Sequence, residues 1–443
     1  MSRLFSICAL LSALVLPSSA LSQSPDLPAA ARGLVALLAQ EDFAAAVAQF
    51  DDTMKAAVPE AKLREIWSAL QGQAGSFRRV ADVREEQQGV YSVVFVACEF
   101  ERAALDTKVV FDKGGRIAGL FFVPSSRPAP AAAKAVAPPK GVTEMEMTIG
   151  KGEWALPATL SRPAEAPASA IPAIVLVHGS GPNDRDETVG ANKPFRDLAW
   201  GLAAKGIAVL RYEKRTKVHG AKLAAIAEFT VKEEVIDDAL AAVSLLRATE
   251  GIDGARVFVL GHSLGGLLAP RIAHADPDIA GLIILAGPTR PLEDLMLEQT
   301  RYIFALDGSV SLEEQARIDE LQSQVDRVKK LTPADAAANV SVLGAPAAYW
   351  LDLRNYDASA NAGKLKQPML ILQGGRDYQV TAKDFEGWER ALASRERATL
   401  RFYPKLNHLF IAGEGPGMPA EYGRPGHVDQ EIIDDIADWI RKN

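Results

Sequence analysis

The chain has 443 residues, with 49 Lys+Arg against 56 Asp+Glu and a formal net charge of −7. At 48% hydrophobic and 24% charged it has the composition of a globular protein with a large core, which excludes a disordered chain or a disulfide-stapled miniature. The acidic balance argues against a nucleic-acid partner, and the length predicts two or three domains of about 100–200 residues each.

The N-terminus reads as an export signal. Arg3 supplies a positive start, Leu4 to Leu16 is an apolar run, and Pro17-Ser18-Ser19-Ala20 ends in small residues suited to a signal peptidase. Residues 1–20 are therefore expected to be removed, leaving a periplasmic or secreted protein. A bilayer span takes about 20 apolar residues, so no stable membrane insertion is expected after cleavage. Of the two cysteines, loss of Cys8 leaves Cys98 alone, at the end of the strand-like run Val93-Val94-Phe95-Val96-Ala97-Cys98. It reads as a small buried hydrophobe rather than a nucleophile.

Residues 26–123 are predicted to form a small α+β domain. Leu63, Ile66, Trp67 and Leu70 recur at helical steps on a helix opened by Pro59. Four β-rich runs follow, Phe77 to Glu85, Val90 to Phe100, Leu105 to Phe111 and Ile117 to Val123, separated by turn signals at Gln88-Gly89 and Asp112-Lys113-Gly114-Gly115. Residues 124–140 are rich in Pro, Ala and Ser and read as a semi-extended linker.

From residue 141 to 443 strands and helices alternate, which predicts a doubly wound, mostly parallel α/β sheet with helices on both faces. Thr143 to Ile149 and Glu153 to Ser161 read as a leading hairpin. Ala173 to Val177 and Ile207 to Leu210 read as strands buried on both faces, and Val257 to Leu260, Gly281 to Leu285, Met369 to Leu372 and Leu400 to Tyr403 read as further strands of the sheet. Helices are expected at Phe195 to Ala204, from the capping box Thr230-Val231-Lys232-Glu233, from Ser263, and through Ile432, Ile433, Ile436 and Trp439. Between Gly287 and Pro368 no strand is evident, and helical patterns occupy Leu292 to Ala305 and Leu312 to Leu331.

Gly261-His262-Ser263-Leu264-Gly265-Gly266 carries the chemistry. It follows a buried strand and opens a helix, the setting in which a strained turn presents a serine hydroxyl. Such a hydroxyl needs a base to take its proton and a third group to orient that base. In doubly wound hydrolase sheets the order is Ser, acid, His. Asp377, in Gly374-Gly375-Arg376-Asp377, and His408, in Lys405-Leu406-Asn407-His408-Leu409, follow Ser263 in that order, each on a loop at the carboxyl end of a strand. Among the six histidines His427 is the competitor, set in a Gly/Pro-rich stretch, and Asp384 and Asp357 are alternative acids. Donors for an oxyanion are expected at the N–H of Leu264 and, in the loop His178-Gly179-Ser180-Gly181-Pro182, at Ser180 with Gly181 as second choice.

The segment from His178 to Thr216, together with GHSLGG, GGRDYQV and LNHLF, resembles the bacterial exported serine esterases of the α/β-hydrolase superfamily, relatives of dienelactone hydrolases and prolyl-oligopeptidase-type hydrolases, with a short N-terminal domain of unknown role. The resemblance implies a carboxylesterase acting on short-chain, small-molecule esters without metal or cofactor, with Ser263 as nucleophile, Asp377 as acid and His408 as base. A peptidase, amidase or thioesterase using the same groups is the alternative. A helical cap is expected over the serine at about 288–366, where Leu292, Leu295, Met296, Tyr302 and Ile303 form one face, either lining an acyl pocket or packing within the cap. The charged loops Asn183 to Glu187 and Arg211 to Arg215 could use Arg185, Arg211 and Tyr212 to bind a polar substrate group, or could pair with each other. The N-terminal domain could shield the site, touch the cell envelope or mediate homo-oligomer formation.

Overall fold

The computed structural model describes residues 26–88, 91–100, 103–124, 137–165 and 169–443. The expected export signal and residues 125–136 of the expected linker lie outside them. The chain divides into two units, Met1–Ala135 and Val136–Asn443.

In the first unit, helices Leu27–Ala39, Phe43–Ala48 and Asp52–Ala57 each begin at an aspartate, Asp26, Asp42 and Asp51, whose carboxylate accepts a backbone N–H of the first turn. A fourth helix, Glu60–Ala74, starts just after Pro59. The chain then forms an antiparallel meander, β1 (Phe77–Gln88), β2 (Tyr91–Phe100), β3 (Ala104–Phe111) and β4 (Ile117–Pro124), in that spatial order. Alternate residues of β2, Val94, Val96, Cys98 and Phe100, pack with Leu34, Leu38, Phe43, Leu63 and Trp67 in one core. Burial pushes the Cys98 thiol up to about 11, which keeps it protonated and unreactive.

The second unit opens with the hairpin β5 (Val142–Ile149) and β6 (Leu156–Pro163). It continues through β7 (Ile171–Val177), β8 (Ala208–Tyr212), β9 (Ile252–His262), β10 (Leu282–Leu285), the two-residue pair β11 (Ser341–Val342) and β12 (Ala345–Pro346), β13 (Met369–Gly374) and β14 (Ala398–Tyr403). The main sheet has the order β14-β13-β10-β9-β7-β8-β6-β5. Neighbours from β14 to β8 run parallel, and the hairpin joins antiparallel at the β8 edge. Along β7, Val175 and Val177 enter the core beneath helices Asp237–Arg247, Leu264–Ala275 and Ala382–Leu392, while Ile174 and Leu176 enter the core beneath helices Pro194–Ala204 and Gln430–Lys442. Burial on both faces is why β7, β10, the Val257–Leu260 part of β9 and the Met369–Leu372 part of β13 read as unbroken apolar runs, each side chain contributing about 1.5–3 kcal/mol, whereas the edge strand β14 leaves Thr399, Arg401 and Phe402 exposed. The connections leaving β7 and β9 go to helices on opposite faces, so a crevice opens between their carboxyl ends.

Three local readings change. β8 continues through Arg211 and Tyr212, so these residues are in the strand rather than on a loop. The Thr230 box forms, with the Thr230 N–H and hydroxyl each 2.8 Å from Glu233 Oε2, but it leads into a π-helical turn, Lys232–Ile236. The stretch between β10 and β13 holds, besides helices Leu292–Phe304 and Leu312–Lys330, the short helices Pro333–Ala337, Ala347–Arg354 and Ala358–Lys364 and the small β11/β12 hairpin. These pieces are too short to show an apolar period.

The entry to this stretch is clamped by Asp384, which is fully buried. Its Oδ1 accepts from the Thr289 N–H at 3.0 Å and the Arg290 N–H at 3.2 Å, and its Oδ2 accepts from the Arg290 guanidinium at 2.7 Å. Asp384→Ala strands those donors and should lower the stability of this unit by about 3 kcal/mol in urea unfolding, with Asp384→Asn losing less.

Candidate active site

Ser263 stands between the end of β9 and the helix Leu264–Ala275 with φ 53° and ψ −117°, a conformation that costs a non-glycine residue about 1–3 kcal/mol. Its N–H donates to the Leu285 carbonyl at 2.9 Å, and its carbonyl accepts from the Leu267 N–H at 2.9 Å. The turn is possible only because its neighbours lack side chains. A Cβ on Gly261 would lie 2.1 Å from the Gly265 carbonyl oxygen, and one on Gly265 would lie 2.2 Å from that of Val177. The serine is thereby wedged between β7, β9 and β10 with its side chain facing the crevice.

Behind it sit the acid and the histidine. His408 Nδ1 is 2.7 Å from Asp377 Oδ2, and both side chains are buried. Asp377 Oδ1 accepts from the N–H groups of Gln379 and Val380 at 2.8 and 2.9 Å, which fixes the carboxylate, while Oδ2 faces the imidazole and also accepts from the Gln373 amide at 3.3 Å. The His408 carbonyl is held at 2.9 Å by Nε2 of His262, the residue before Ser263. Among the described residues no hydrogen bond joins the Ser263 hydroxyl to the His408 ring. His427, by contrast, is exposed and paired with Asp197 at 3.2 Å. Asp357 caps the helix Ala358–Lys364, and Asp384 clamps Arg290.

The loop after β7 presses on the elbow. A Cβ on Gly179 would come within 3.2 Å of both Ser263 Cβ and Glu187 Oε1. The Gly179 N–H donates to Glu187 Oε1 at 2.6 Å, and Glu187 Oε2 faces His262 Nδ1 at 3.0 Å, both groups buried. Burial alone would push the His262 pKa down; the Glu187 charge and hydrogen bond, with the His408 carbonyl, outweigh it, and the net direction is up. The same opposition of burial by His262 and His178 leaves the Glu187 carboxyl below its ordinary range. The N–H groups of Ser180 and Leu264 donate to no acceptor among the described residues.

Arg211 is buried and pairs with Asp186 and Glu144, and Tyr212 is buried with its ring against His178. Arg185 bonds Glu213 and Glu146, each at 2.8 Å. These three candidates thus tie the loops and the leading hairpin together rather than reaching toward Ser263. A cavity of about 390 Å³ does open at the serine. Leu292, Leu295 and Met296 line it together with Phe229, Tyr349 and Trp350. Tyr302 lies outside the lining, stacked on Tyr378 at 5.3 Å, and Ile303 is likewise outside. The sequence placed Glu187 and Lys214 in the two charged loops without distinguishing them from their neighbours, and it missed Glu234, which looks like an ordinary surface residue in its own stretch; all three are buried. The π-turn that carries Glu234 inward leaves no pattern. No helix of the described residues is long and apolar enough to cross a membrane, and no group of three potential metal ligands occurs among them.

His178 is buried between Phe195 and Tyr212, with Nε2 3.1 Å from the Asp184 carbonyl. Burial, opposed by Glu187 and reinforced by Lys214, pushes its pKa down from 6.5 to about 4. The unfolded chain therefore binds more protons between pH 6.5 and 4, so this contribution to stability is present above pH 6.5 and is lost as the pH falls toward 4. Urea unfolding should show that lowering the pH from 7 to 5 costs the wild type about 2 kcal/mol more than it costs His178→Gln. Equal losses would contradict the assignment.

Comparison with known proteins shows the family. Residues 171–414 match the family described as serine aminopeptidase, S33, and residues 31–120 match a family of proteins of unknown function, DUF3887. The chain is 40% identical to esterase EstD of Thermotoga maritima over 405 residues, 91% of this chain and 93% of that protein. Similar solved structures include Est1E from Butyrivibrio proteoclasticus (16% identity, 67% of this chain and 98% of that one, TM-score 0.43) and the esterase domain of a Rhodothermus marinus protein (16% identity, 68% and 98%, TM-score 0.40). The family match over residues 171–414 and the 40% identity with an esterase along most of the chain make this protein a hydrolase of the serine aminopeptidase S33 family, and the strand–elbow–helix at Ser263 on a doubly wound sheet is an α/β-hydrolase arrangement.

Proposed function

We propose that this protein is an exported carboxylesterase that cleaves short-chain acyl esters of small molecules through an acyl-enzyme at Ser263. The observation that carries the reading is the 2.7 Å bond from His408 Nδ1 to Asp377 Oδ2, set behind a serine held at φ 53°. That bond fixes the imidazole tautomer with Nε2 unprotonated and able to act as base. In the substrate complex His408 takes the Ser263 proton as the hydroxyl oxygen attacks the ester carbonyl. The negative charge then developing on the carbonyl oxygen is met by the N–H groups of Leu264 and Ser180, with Gly181 as the further donor in reach of the same loop. His408 returns the proton to the leaving alcohol, and water, deprotonated by the same imidazole, releases the acid. Closure of the Ser263–His408 contact is left to the bound state, where such bonds commonly tighten.

Ester specificity is supported by the 40% identity with an esterase and by the cavity. A free peptide N-terminus would need an unpaired carboxylate to hold its ammonium. The charged residue among the described lining is Glu234, and its carboxylate is taken by Lys214 at 2.7 Å. The rest of the lining is neutral, and its volume lies toward the small end of the ligand-pocket range of about 300–1,000 Å³, which suits a small uncharged acyl group. Export rests on Arg3, the apolar run Leu4 to Leu16 and the small residues ending at Ala20.

Purified protein should hydrolyse short p-nitrophenyl esters faster than aminoacyl p-nitroanilides. Ser263→Ala should lower kcat by about 10³-fold or more, and Asp377→Asn by a similar order, both without loss of fold in circular dichroism. Wild-type turnover by Ser263→Ala would remove the nucleophile assignment, and faster anilide cleavage would turn the reading to a peptidase.

A further inference from the structure

Building on the serine-esterase reading above, we infer that Lys214 is a positioning residue for the reaction: it holds the Gly179–Ser180 peptide so that the Ser180 N–H faces the oxyanion. Lys214 follows β8 and is almost fully buried, an unusual place for an ammonium group. Its Nζ donates to the Gly179 carbonyl at 2.8 Å and pairs with Glu234 Oε1 at 2.7 Å. A trans peptide unit is planar, with its C=O and N–H pointing in opposite directions. Fixing the Gly179 carbonyl toward Lys214 therefore turns the Ser180 N–H away from it, toward the cavity that Ser180 and Ser263 both line.

Neighbouring contacts leave the loop little freedom to choose another orientation. The Gly179 N–H is taken by Glu187 at 2.6 Å. The Asn183 amide donates to the Gly179 and Ser180 carbonyls at 3.2 and 3.0 Å, and Thr216 Oγ1 donates to the Gly181 carbonyl at 3.1 Å. The Lys214 N–H in turn donates to the Asn183 carbonyl at 3.1 Å, so the segment after β8 runs along the loop it holds. Glu234 reaches Lys214 from the π-helical turn Lys232–Ile236, an irregularity that recurs at functional sites. A buried ion pair is a poor way to gain stability, since the desolvation of both charges offsets most of their attraction. Orientation of a loop that must present one N–H during the reaction is a use for which a directional, fully desolvated cation is well suited.

The test compares wild type, Lys214→Met/Glu234→Gln, which leaves no unpaired charge, and Lys214→Arg, which retains a cationic donor. Rates of p-nitrophenyl ester hydrolysis are expressed per active site titrated by the burst of product, so that misfolded protein is not counted. The double variant should lose about tenfold or more in kcat while KM stays within about twofold, and its affinity for a trifluoromethyl ketone, which forms an oxyanion on Ser263, should fall in step with kcat/KM. Lys214→Arg should recover part of both. A double variant with wild-type kcat per titrated site, or one whose ketone affinity holds while kcat falls, would overturn the proposal. If the double variant does not fold, Asn183→Ala carries the test by removing the second donor to the same carbonyl: a loss in kcat of about threefold or more at constant KM supports the proposal, and full kcat overturns it. Ser263→Ala in the same assay separates the two claims. An active Ser263→Ala removes the esterase mechanism itself, whereas an inactive Ser263→Ala beside fully active Lys214 variants removes only the role of Lys214.

Discussion

A serine forced into a left-handed backbone conformation, between a strand and a helix that all but touch, sets the terms for the rest of the catalytic unit. Ser263 at φ 53° is tolerable only where surrounding contacts exceed the strain, and they do so by proximity. The helix Leu264–Ala275 starts against the ends of β7 and β10, so close that a methyl group on Gly265 would sit 2.2 Å from the Val177 carbonyl. That closeness requires glycine at 261 and 265. It also brings the loop after β7 to the serine, where Gly179 passes within reach of the Ser263 side chain. The Ser180 and Leu264 N–H groups, the Ser263 side chain and the His262 ring that holds the His408 carbonyl are thus brought together by one steric arrangement.

Crowding on that scale excludes water, and the charges caught inside had to be paired. Glu187 faces His262, Lys214 faces Glu234, and Arg211 faces Asp186 and Glu144. Breaking such a pair by removing one partner costs about 3–5 kcal/mol, because the other is left in a medium that cannot solvate it. Two of these pairs also bond the backbone of the loop beside Ser263, one to the Gly179 N–H and the other to the Gly179 carbonyl. Charge satisfaction and loop geometry are therefore coupled. The cap contributes a different element, apolar side chains such as Leu295 and Met296 that give the cavity its neutral lining.

Much of this was legible in the sequence because the physics behind it is local. The central strands of the parallel sheet are buried on both sides, so Ala173 to Val177 and Val257 to Leu260 stood out as apolar runs of the right length. Ser263 and Asp377 could be singled out because each follows such a run, and His408 because it comes after the acid at the carboxyl end of β14, an edge strand with Thr399, Arg401 and Phe402 exposed. What stayed hidden depends on partners far away in the chain. Arg211 ends the apolar run of β8 by composition, yet the strand continues through it because Glu144, 67 residues earlier, neutralises it. Glu234 looks like an exposed helical residue until a π-turn rotates it inward. The short helices after Thr332 carry too few turns for an apolar period, so only the two long helices of the cap could be read.

The central claim is that the Ser263 hydroxyl becomes acylated during turnover. The most direct measurement is to mix the enzyme with excess p-nitrophenyl ester, quench with acid within the first turnovers, and map the peptides by mass spectrometry. The account predicts one acyl group on the peptide that carries Ser263, accumulating in step with the burst of nitrophenol. Turnover with no acylated peptide, or with the acyl group on another residue, would contradict it.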